Sequence, residues 1–180
     1  MAETNTGGRM VTGMFRDRDS AERAYGSLTS RGYRNEDINL LMSDETRRRH
    51  FGSEAGKTTE LGSKALEGAG AGAAIGGTVG GVLAAIAAAA TLAIPGVGVV
   101  VAGPLAAALA GAGAGGLTGG LIGALIGSGI PEERARLYDT GVKEGGIVMG
   151  VTPRSDEDAD YFEREWKNYR GEHVYGRRAA

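Results

Sequence analysis

The sequence predicts an α+β fold carrying a helical insertion, and three observations lead there. Strand-helix-strand patterns occur near both ends of the chain, the two ends match at a constant spacing, and a long uncharged stretch separates them. A chain of 180 residues has room for one domain plus an appendage. Glycine supplies 33 of those residues, far above its usual share of roughly 7%, and aromatics only 6%, so part of the chain must pack backbone against backbone.

Residues 1–9 have neither a basic start nor an apolar run and read as a disordered tail, not a cleaved signal. Residues 10–43 form the first half of the fold. Val11–Phe15 is a short β-prone run, and Asp19 with Glu22 makes a capping pair for the helix that follows. Ala21, Ala24, Tyr25 and Leu28 recur at i, i+3, i+4 and i+7, a single apolar stripe that ends near Gly32. A second strand is expected over Ile38–Met42.

Residues 10–37 can be laid over 147–174 without a gap, which places Asp19 on Asp156 and Tyr25 on Phe162. The second copy reads as a strand over Ile147–Thr152, a cap at Ser155 and Asp158, and a helix with Ala159, Phe162 and Trp166 on its inner face. Gly171 ends that helix, and His173–Tyr175 is the last strand. Two such units joined by right-handed crossovers most economically make a four-stranded antiparallel sheet with both helices on one face, the ferredoxin-like βαββαβ arrangement.

The middle of the chain is divided by charge. Residues 44–64 read as a charged linker, and Glu67 is followed by no ionisable side chain until Glu132, an interval of 64 residues. Residues 65–130 are read as an Ala/Gly-rich antiparallel helical hairpin inserted between the second and third strands of the sheet. Gly68, Gly72, Gly76 and Gly80 recur every fourth residue, as do Gly111, Gly115, Gly119, Gly123 and Gly127. On a helix such a row is a ridge of small residues that lets a second backbone approach closely, a glycine zipper. The helices are expected near Ala65–Ile94 and Pro104–Gly127, with Pro95-Gly96 and Gly103-Pro104 marking the turn. Residues 131–175 then open with a helix from Glu132 and Glu133 to about Lys143, Leu137 on its inner face, before the second half of the sheet; 176–180 is a tail.

Helices this rich in glycine are unstable when exposed to water, since each glycine costs about 1 kcal/mol relative to alanine. Something must cover them, either a bilayer or other copies of the chain. The absent charges favour the bilayer; the small transfer energy of alanine and glycine and the missing aromatic belt favour a soluble assembly. Arg47, Arg48, Arg49, Lys57 and Lys64 precede the block, and Arg134 and Arg136 follow it, so the flanks could meet anionic lipid headgroups or remain solvated.

Catalytic and cofactor chemistry finds little support. The run Gly111-Ala112-Gly113-Ala114-Gly115-Gly116 satisfies a dinucleotide fingerprint in letters only, because it lies inside the helical row. Gly52-Ser53-Glu54-Ala55-Gly56-Lys57-Thr58 is one residue short of a phosphate loop, with Phe51 where the first glycine is needed. There is no cysteine, and the two histidines, His50 and His173, lack partners at ligand spacing. A net charge of −2 gives no electrostatic drive toward nucleic acid. No catalytic, cofactor or metal residue is assigned.

Val11–Phe15, the helix opening Asp19-Ser20-Ala21-Glu22-Arg23-Ala24, the turn Arg31-Gly32-Tyr33 and the strand Ile38–Ser43 resemble the bacterial general stress protein domain, also called heat-induced stress protein or YflT-like. Ile94-Pro95-Gly96-Val97-Gly98, Ala102-Gly103-Pro104-Leu105, the second glycine row and Gly129-Ile130-Pro131-Glu132-Glu133 resemble its low-temperature-induced type with a glycine-zipper insertion. The resemblance implies a non-enzymatic bacterial stress-response protein. The expectation is a cytoplasmic chain, peripheral or integral at the cytoplasmic face of the inner membrane, that associates with the membrane, self-assembles through its glycine-zipper hairpin, or does both. The alternative is a soluble oligomeric ligand-binding or sensory module whose hairpin only mediates assembly.

Overall fold

The computed structural model of the chain describes residues 10–51, 92–94, 98–106 and 120–176. Its elements in chain order are β1 (Val11–Phe15), α1 (Arg18–Ser30), β2 (Ile38–Ser43), α2 (Asp44–Phe51), β3 (Leu92–Ile94), β4 (Val99–Ala102), α3 (Gly120–Gly127), α4 (Glu132–Lys143), β5 (Ile147–Val151), α5 (Asp156–Asn168) and β6 (Glu172–Tyr175). These strands form one antiparallel sheet in the order β3-β4-β2-β5-β1-β6. The α+β class follows.

Strand side chains alternate between faces, and here both faces are covered, so β1 and β5 are buried at every residue and β2 at all but its last. Val11, Phe15, Ile38, Leu40, Met42, Ile147, Met149 and Val151 pack with Ala21, Ala24, Tyr25 and Leu28 of α1 and with Ala159, Phe162 and Trp166 of α5. The stripes expected of the two helices are the buried ones. On the other face, Met14, Leu41, Val99, Val101 and Val148 pack with Leu121 and Leu125 of α3 and with Ala135, Tyr138 and Val142 of α4. α1 and α5 thus share one face of the sheet, as expected, and α3 and α4 cover the other. Leu137, expected on the inner face of α4, is only half-buried; the face is rotated so that Tyr138 enters the core and its hydroxyl meets Thr12 Oγ1 at 2.7 Å and donates to the carbonyl of His173 at 2.9 Å.

The caps separate one expectation from its outcome. Ser155 caps α5, accepting from the Asp158 amide at 3.1 Å, as the spacing predicted. In α1 the cap is Asp17, whose carboxylate accepts from the Ser20 amide at 2.8 Å. Asp17 still has extended backbone, whereas Asp19 already lies in the first turn, where it complements the helix dipole.

The repeat holds only with a gap. Val11 and Ile147 both face α1 and α5, and so do Phe15 and Val151; an ungapped overlay would set Val11 on Val148, which faces the opposite side. A one-residue slip along a strand exchanges its faces. The two helices match with Ala21 on Ala159, Ala24 on Phe162 and Leu28 on Trp166, because the turn before α5 is longer than the turn before α1.

Three expectations about the middle of the chain are corrected. Residues 44–51 are the helix α2, not linker, since Asp44 and Glu45 stand three or four residues ahead of Arg47, Arg48 and Arg49 and pair with them. Leu92–Ile94 and Val99–Ala102 are strands, not the end of one helix and the turn before the next. The run Val99-Val100-Val101 is β-branched, and β4 supplies the hydrogen-bonding edge of β2 with a partner from Leu40↔Ala102 to Ser43↔Val99. Finally, Gly120 has φ +58, so a right-handed helix cannot run unbroken from Pro104 to Gly127. Of that span, residues 104–106 and α3 are described as helical, and the eight residues of α3 extend about 12 Å at 1.5 Å per residue.

Candidate functional site

Of the nine zipper glycines, Gly68, Gly72, Gly76, Gly80, Gly111, Gly115 and Gly119 lie outside the described residues, as do Lys57 and Lys64. Gly123 and Gly127 lie one turn apart on α3. A Cβ at either position would meet nothing within 4 Å among the described residues, so these two glycines are not where α3 contacts the described elements. That contact is made by Leu121 and Leu125, both buried. Ile126, beside the glycines, is 41% exposed.

The arginines proposed to meet lipid are all engaged. In α2, Arg47 and Arg48 pair with Asp44 at 2.7 and 2.8 Å, and Arg49 pairs with Glu45. The hydrogen bond from Arg47 holds the Asp44 carboxyl below its ordinary pKa, with the Arg48 charge adding to the effect. Arg136 pairs with Glu132 at 2.6 Å, and the Arg134 guanidinium lies 3.9 Å from the ring centre of Tyr175. Exposed pairs of this kind contribute about 0–1 kcal/mol, so a phosphate could compete for each guanidinium at small cost. The start of α2 is tied to the β3–β4 turn by the Asp44 amide, which donates to the carbonyl of Gly98 at 2.7 Å. Its end is held where Arg18 Nη1 donates to the carbonyl of His50 at 2.9 Å.

A denser polar cluster joins the end of α1 to the start of α5. The Tyr33 hydroxyl donates to Asp158 at 2.6 Å and accepts from the Arg154 amide at 2.7 Å. Arg31 also donates to Asp158, and its guanidinium stacks 4.0 Å from the ring centre of Tyr161. Arg154 covers the Tyr33 ring and reaches the carbonyl of Gly32 and Asp37. Burial pushes the Tyr33 hydroxyl up to about 12, so it stays protonated and works as a donor. For Asp158, burial acts upward, but the hydrogen bonds from Tyr33 and Arg31 and the nearby guanidinium charges outweigh it and leave the carboxyl below its ordinary pKa. The cluster ties the turn after α1 to the first turn of α5.

A group whose folded pKa is depressed adds stability above its unfolded pKa and loses it as pH falls through the folded value. Asp158→Asn should therefore lower the urea midpoint at neutral pH, with the gap to wild type closing as the medium is acidified below about pH 4. A gap that persists unchanged at low pH would show that the carboxylate charge is irrelevant. Tyr33→Phe should cost about 1–3 kcal/mol, since it leaves the Arg154 amide without its acceptor.

α2, the β3–β4 hairpin and this cluster lie outside what the sequence predicts. The first two carried signals, namely acid-to-arginine spacing of three and four in α2 and a β-branched triplet after a Pro-Gly turn. The cluster had none, because Tyr33 and Asp158 meet only through the fold. Among the described residues no group of His, Cys, Asp or Glu side chains could hold a metal ion, and no helix is long and apolar enough to cross a membrane. No family model, curated protein or solved structure matches the chain.

Proposed function

We propose that this chain is a non-enzymatic bacterial stress-response protein in which a folded α+β domain carries an uncharged glycine-alanine segment that drives self-association, at the cytoplasmic face of the inner membrane. The carrying observation is the interval of 64 residues without an ionisable side chain, seated on a charged domain through β4 and α3. The four-strand order β2-β5-β1-β6, with α1 and α5 sharing one core, supports reading that part as a ferredoxin-like unit. Because β3 and β4 interrupt the expected hairpin, the first glycine row, Gly68 to Gly80, is left as the main candidate for assembly, between Phe51 at the end of α2 and Leu92 at the start of β3. Self-association buries such a row against an identical one and removes the solvent exposure that glycine-rich helices tolerate poorly.

Replacing residues 52–91 with a flexible Gly/Ser linker tests this reading directly. The variant should keep the near-ultraviolet circular dichroism of the buried Trp166, lose helical signal in the far ultraviolet and become monomeric, with loss from the membrane pellet before and after carbonate washing. Unchanged oligomer size together with unchanged membrane partition would overturn the proposal. Gly76→Leu and Gly115→Leu should each weaken assembly, which chromatography and sedimentation would register. The second reading, a soluble oligomer acting as a ligand-binding or sensory module, is favoured by the shortness of α3 and by the strands at Leu92–Ile94 and Val99–Ala102. It predicts a defined oligomer in the high-speed supernatant without detergent.

A further inference from the structure

We draw no further inference here: the strongest candidate, the outward face of the Gly120–Gly127 helix where Gly123, Ile126 and Gly127 stand open among the described residues, is a stripe of small residues beside one exposed isoleucine, and nothing in the structure shows what covers it.

Discussion

Trp166→Ala should remove about 3–5 kcal/mol of stability, the usual cost of truncating a large buried aromatic. The indole is fully buried between α5, α1 and β1. It meets the Phe15 ring edge-on at a centroid distance of 5.8 Å and the Phe162 ring at 6.1 Å, and its Nε1 donates to Ser27 Oγ at 3.2 Å. Gly13 makes room for it, since a Cβ there would lie 3.1 Å from the indole Cε3. The polar cost of the truncation is small because the Ser27 hydroxyl still donates to the carbonyl of Ala24. What is lost is packing volume where both repeats meet, at a place with little slack to collapse. Against a total stability of about 5–15 kcal/mol for a domain, the urea midpoint followed by circular dichroism should fall steeply. Trp166→Phe should lose markedly less. Equal midpoints for wild type and Trp166→Ala would show that the indole does not organise this core.

The second large effect is expected at Gly103→Val. Gly103 has φ +90, which a β-branched residue adopts only under strain of about 1–3 kcal/mol. A Cβ there would also stand 2.1 Å from the carbonyl oxygen of Ile38, a backbone atom that cannot rotate away. Relief requires β4 to draw back from β2, which breaks the Leu40↔Ala102 pairing and the 2.7 Å hydrogen bond from the Leu105 amide to the buried Asn39 side chain. Hydrogen exchange should therefore lose protection at Val99–Ala102 first, with the β1–β5 pairing retained. Full protection of β4 in the variant would show that the close approach at Gly103 is dispensable.

The halves of the fold were legible because each is built from local, periodic signals. Ala21, Ala24 and Leu28 recur at helical spacing, as do Ala159, Phe162 and Trp166, and burial follows the period in both. The offset between the copies differs from the ungapped one because matching by residue type does not register a longer turn, whereas the alternation of strand faces does. The middle differs from expectation for another reason. Alanine, glycine and valine in a charge-free run satisfy a helix ridge and a buried strand equally well, and periodicity cannot choose between them. Tertiary pairing chose the strand at Val99–Ala102, where the edge of β2 offered four residues of backbone to bond. The arginines of α2 show the converse. Their acid partners stand three and four residues upstream, and spacing alone predicts both the helix and the local neutralisation of its charge.

Sequence by itself determined the α+β class, the two amphipathic helices, the Ser155 cap and the boundary of the uncharged interval, since each depends on residues within a few positions of one another. Only the tertiary structure decided which edge β4 would extend, that α3 and α4 would close the second face, and that Tyr33 would meet Asp158. Those outcomes arise from contacts between distant parts of the chain, where the gain from burying a sheet face and pairing an edge outweighs weak local preferences.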